Sequence, residues 1–153
     1  MIWQILCLLL ALGADEPIDF GPIRYQSTPA NDPVARLIRT EPHLERDEHY
    51  GYLPAMLDAL NIDPSSQTLV FSRTSLQMKY ITPQTPRAIY FNDNVYVAWV
   101  PGATILEVAA IDPVKGAMFY VLEQKSPVHP PPIKREDQSC LACHSGAMTQ
   151  GGP

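Results

Sequence analysis

RAIYFNDNVYVAWVPGATILEVAAIDPVKGAMFYVLE, residues 87–123, consists of short β-branched and aromatic runs parted by turn-forming residues. AIYFN, VYVAWV, TILEVAAI and AMFYVLE have the composition of strands. Asn92-Asp93-Asn94, Pro101-Gly102 and Asp112-Pro113-Val114-Lys115-Gly116 stand between them and supply the residues that close tight turns. With QTLVFS at 67–72 as a further strand ahead of it, the pattern predicts an antiparallel meander. In VYVAWV, Val95, Val97 and Trp99 fall on one face and Tyr96, Ala98 and Val100 on the other, so this strand is expected to be covered on both sides.

Upstream, the spacing becomes helical. Asp32 offers an N-cap carboxylate, Pro33 suits the first helical position, and VARLIRT runs to a stop at Glu41-Pro42. A second short helix is expected from Leu53-Pro54, with Leu53, Met56, Leu57 and Leu60 on one side and an end before Asp63-Pro64. Residues 15–31 have no period and read as an extended lead-in. After Gln124 comes KSPVHPPPIKREDQS, where Pro130-Pro131-Pro132 favours polyproline II, so residues 126–139 read as a semi-rigid connector without ladder bonds. Sixteen prolines in 153 residues agree with short elements and stiff turns.

The chain has room for one modest domain, here placed at 32–125. Its formal charge of −5 and the lack of a Lys/Arg run longer than Lys134-Arg135 argue against nucleic acid as a partner. The start, MIWQILCLLLALGADEP, holds an apolar run from Ile2 to Leu12 with Ala11 and Gly13 as small residues near its end. This resembles a secretory signal at 1–14, too short to cross a bilayer, and predicts a periplasmic or otherwise exported protein with no stable membrane span after cleavage. A buried N-terminal helix or an uncleaved anchor is the competing reading, since the n-region carries no Lys or Arg. Cys7 would leave with the signal, and Asp15 after the small-residue site argues against lipidation. Cys140 and Cys143 would then be the mature protein's cysteines.

These two belong to Cys140-Leu141-Ala142-Cys143-His144, the CxxCH spacing of covalent haem attachment. Cysteines three positions apart on a helical turn can reach two vinyl groups of one porphyrin, and the next residue can turn its imidazole to the iron. The expectation is one covalent haem c, with thioethers at Cys140 and Cys143 and His144 as proximal axial ligand to the haem iron. A redox disulfide pair would be expected at the start of a long helix after a strand, not after a proline-rich connector. A zinc site would need further paired ligands, and His43, His49 and His129 are not at metal spacing. A plain structural disulfide leaves His144 without a role. The distal ligand stays unassigned. His129 is a weak candidate that reads more readily as an exposed loop histidine, and Met148 would lie on the proximal side of a continuing helix. Met56, Met78 and Met118 read as packing residues. Nine residues follow His144, fewer than haem-c domains commonly use to wrap the macrocycle, so the sequence is expected to continue in a longer protein.

The expected fold class is therefore α+β: short N-terminal helices and an antiparallel β-meander, then the Pro-rich connector and a C-terminal haem-c attachment segment at 140–153. Residues 33–146, from Gly51-Tyr52-Leu53 through the strand runs to CLACH, resemble exported bacterial c-type cytochrome domain proteins. The resemblance implies covalent haem at Cys140 and Cys143 with His144 as axial ligand. It also makes Arg87 a candidate partner for a haem propionate, beside its ordinary reading as a strand-end arginine. The function expected is electron transfer outside the cytoplasm, exchanging with a redox partner protein or a small-molecule donor or acceptor. A peroxidase- or oxidase-like enzyme with an open distal site, and a haem-based redox or gas sensor, are the alternatives.

Overall fold

A computed structural model of the chain describes residues 24–128 and 131–144. The expected signal at 1–14, the first part of the lead-in, His129 and Met148 lie outside the described residues. Helix α1 (Pro33–Arg39) begins where Asp32 caps it, its carboxylate accepting the Val34 and Ala35 N–H groups at 2.8 and 3.0 Å. Helix α2 (Leu53–Ala59) also opens with proline in its first turn. A third helix, α3 (Gln138–His144), carries the CxxCH residues.

The strands are β1 (Thr68–Val70), β2 (Arg87–Phe91), β3 (Val95–Trp99), β4 (Ile105–Asp112), β5 (Gly116–Glu123) and β6 (Ile133–Arg135). They form one antiparallel sheet in chain order, β1-β2-β3-β4-β5-β6, so the meander is present. The turns follow from their residues. Asn92 Oδ1 accepts the Asn94 and Val95 N–H groups between β2 and β3, and Gly102 takes φ +77° between β3 and β4. Asp112 Oδ1 accepts the Val114 and Lys115 N–H groups ahead of Gly116, whose φ is +80°.

One face of the sheet carries Val97, Leu106, Val108, Met118 and Leu122, all at most 2% exposed, and packs on α1 and α2 through Val34, Met56 and Leu57. Burying a side chain such as Met56 contributes about 2 kcal/mol. The opposite face is covered in parts: Ile81, Val100 and Ala103 form a small second cluster, while Tyr96 stays 42% exposed. The strand expected to be covered on both sides is therefore covered fully on one.

The α+β expectation is corrected. The architecture is mostly a six-stranded antiparallel sheet with three helices of seven residues each, and the helical architecture of c-type cytochromes is not what the described residues adopt. Prolines bound the first two helices near two turns, too short to form a layer of their own, so the sheet carries the core. The Pro-rich connector is corrected as well. Ile133, Lys134 and Arg135 pair with Leu122, Val121 and Tyr120, because the prolines end just before a stretch whose N–H groups are free to join the edge of β5. The described end of the lead-in is fastened rather than loose. Tyr25 is buried and donates from its hydroxyl to the Ala117 carbonyl at 2.6 Å, and Lys115 Nζ donates to the Tyr25 and Thr28 carbonyls.

Candidate functional site

The chain enters α3 through a polar clamp at the sheet edge. Glu136 donates its N–H to the Phe119 carbonyl at 2.9 Å, extending the β5 pairing one step beyond β6. Arg135 holds Asp137 at 2.7 Å, donates to the Tyr25 carbonyl at 2.9 Å and lies over the Tyr25 ring, 4.9 Å from its centroid. Glu136 accepts the Ser139 N–H at 3.1 Å, occupying one of the amides that the first turn of a helix leaves without an intrahelical partner. These contacts fix where α3 starts and which way it turns.

On α3, Leu141 is the buried residue, 1% exposed within the main core. It anchors the helix and leaves Cys140 half-buried and Cys143 and His144 exposed. Both cysteines are free thiols. The imidazole of His144 lies against the Phe119 ring at 4.7 Å between centroids, tilted by 39°. The predicted set of Cys140, Cys143 and His144 is thus brought together on one two-turn helix, and His144 is backed by an aromatic wall. His129, the distal candidate, lies outside the described residues.

Burial pushes Cys140 up to about 11, helped by the carboxylates of Glu136, Glu107 and Asp137 and by Cys143. A thiol so held stays neutral at physiological pH. A disulfide oxidoreductase uses a cysteine lowered into a reactive thiolate, and Cys140 is shifted the other way. Among the described residues no group of three or more His, Cys, Asp or Glu side chains is set to hold a metal ion. A haem, by contrast, takes a single imidazole on this side of its iron and two thiols for its edge, and this donor set matches.

Arg87 opens β2, lies 3.8 Å from Glu107 and donates to the Thr74 carbonyl at 3.3 Å. Glu107 itself, unremarked in the sequence, accepts the Ser75 hydroxyl, the Leu76 N–H and the Gln77 side-chain amide at 2.8–3.0 Å. Met56 and Met118 are fully buried as expected, whereas Met78 is 53% exposed. Phe119 also escaped the sequence reading. Its signal was an aromatic residue alternating with Met118 and Tyr120, and hence facing away from the helices that cover them. Two clefts, of about 600 and about 330 Å³, open beside α2, and no CxxCH residue lines either.

No helix among the described residues is long and apolar enough to cross a membrane. Comparison of the chain with models of protein families, with characterised proteins and with solved structures gives no match.

Proposed function

We propose that this chain holds one covalent haem c through Cys140, Cys143 and His144 and serves in electron transfer outside the cytoplasm, with a redox protein or a small molecule as its partner. The observation that carries this reading is the grouping on α3: two free thiols one helical turn apart, followed by an exposed imidazole held at 4.7 Å by Phe119. Each thiol would add across one vinyl double bond, its sulfur to one carbon and its proton to the other, so nothing is lost. When bound, haem supplies a one-electron couple whose potential follows axial ligation, burial and hydrogen bonding.

The chain's own residues do the rest. Leu141 pins the helix to the core, while the Arg135–Asp137 pair sets its entry. Phe119 limits the rotation of the His144 ring, as a packed neighbour does for an axial histidine. Export agrees with the resemblance of residues 1–14 to a secretory signal.

The test is expression with export in a host that matures c-type haem, followed by intact mass and a pyridine haemochrome spectrum. The expected result is the mass of one whole haem and a haem-c spectrum. Cys140→Ala and Cys143→Ala should each weaken or abolish attachment, and His144→Ala should leave thioethers possible but change the iron spin state. A chain that matures without added haem mass defeats the reading.

A further inference from the structure

The face of the sheet turned away from α1 and α2 carries a row of side chains in cross-strand register. Phe91 pairs with Tyr96, Tyr96 with Ala109, and Ala109 with Phe119, and the His144 ring lies on Phe119 at the end of the row. Phe91 and Tyr96 are 40% and 42% exposed and stack on each other at 5.8 Å, tilted by only 19°. Ile111, on the same face two residues beyond Ala109, is 40% exposed. Four strands at about 4.8 Å spacing give the row a span of roughly 14 Å. Ala109, half-buried, has the smallest side chain of the row and stands between Tyr96 and Phe119 in register.

Phe119 is itself 8% exposed within the main core, so the open part of the row is Phe91 and Tyr96 with Ile111 beside them, and a group of neighbouring exposed apolar side chains marks a surface that something covers. We propose that this strip is the seat of the haem attached to α3, with Phe119 behind the His144 imidazole and Tyr96 and Phe91 under the macrocycle. The inference rests on haem attachment at Cys140 and Cys143. The attachment helix itself selects the occupant. The imidazole that would ligate the iron already touches Phe119 at one end of the row, and a flat aromatic macrocycle matches the exposed Tyr96 and Phe91 rings in polarity. Phe119 acts here as a positioning residue, and Tyr96 and Phe91 as contact residues.

The test is hydroxyl-radical footprinting, generated by radiolysis, of the haem-bearing chain and of the Cys140→Ala/Cys143→Ala variant. Tyr50, 50% exposed beside Trp99, serves as the internal reference. Several-fold lower labelling of Tyr96 and Phe91 in the haem-bearing chain, with Tyr50 unchanged, is the expected result. Equal labelling of Tyr96 and Phe91 in both forms, with haem mass present, overturns the seat but leaves the attachment reading standing. So does protection already present in the haem-free variant and rising with protein concentration, which would mean that a second copy covers the strip. Absence of haem mass overturns both. As an independent measurement, Tyr96→Ser should keep the fold and the covalent haem while shifting the reduction midpoint and the induced Soret circular dichroism. An unchanged midpoint and Soret signal would count against the seat.

Discussion

Cys140 and Cys143 are one helical turn apart yet sit in different surroundings. Cys140, pushed up to about 11 by burial and by neighbouring carboxylates, should react slowly as a thiolate. In a haem-free, reduced chain at pH 8, iodoacetamide should therefore label exposed Cys143 several-fold faster than Cys140, as peptide mass mapping would read. Equal rates would mean that Cys140 is not shielded as described. Asp112 offers a second residue-level test. Burial raises its carboxyl, but N–H donors from Asn31, Val114 and Lys115 outweigh this and hold it below the usual carboxylate range. A carboxyl lowered on folding contributes stability above its unfolded pKa of about 3.9, and that contribution disappears as pH falls through the folded value. Asp112→Asn should cost about 1–3 kcal/mol in urea unfolding at pH 7, and the gap to the parent chain should close in strong acid. The CxxCH residues were legible because their chemistry is written in adjacent positions. Phe119 was not, since its contact with His144 spans 25 positions and depends on the sheet register.

At the level of elements, local chemistry announced the helix starts and the turns. Asp32-Pro33, the Asn92 turn and Asp112 to Gly116 each use a side-chain oxygen or a conformational preference that acts within a few residues. Strand β6 had no such signal. Its three residues include two charges and follow prolines, and only the free edge of β5 makes them a strand. The segment before β2 is similar, because it is held by a distant acceptor rather than by its own pattern. Glu107 on β4 accepts three donors from Ser75, Leu76 and Gln77, and Gln77 is 1% exposed. Glu107→Ala should leave those donors without their partner, at a cost of about 3 kcal/mol, and release residues 72–80. Hydrogen exchange is expected to quicken at Leu76 and Gln77 while β4 and β5 keep their protection. Unchanged exchange at both would show that Glu107 does not hold the segment.

Across the whole molecule, the meander followed from the sequence, whereas the balance of the fold did not. The two helices are as short as expected, and it is the six-stranded sheet, with β6 drawn from the Pro-rich segment, that makes the fold mostly β. The coupling of α3 to the sheet rests on Leu141, whose side chain is 1% exposed. Leu141→Ala should cost about 2–5 kcal/mol locally. Amides of 138–144 should exchange quickly in that variant while the sheet retains its far-ultraviolet signal and protection. Global unfolding instead would mean that α3 is part of the sheet's cooperative unit. The strand order bears on how the molecule is assembled. Every strand pairs with its neighbour in the chain, and the β2–β5 pairings close loops of three to five residues, so this part of the sheet can grow hairpin by hairpin through local contacts, which favour fast folding. None of those hairpins waits for α3. The β2–β5 ladders can be complete before Cys140, Cys143 and His144 are folded onto the sheet, so under the proposed haem attachment folding and maturation would not compete for the same stretch of chain.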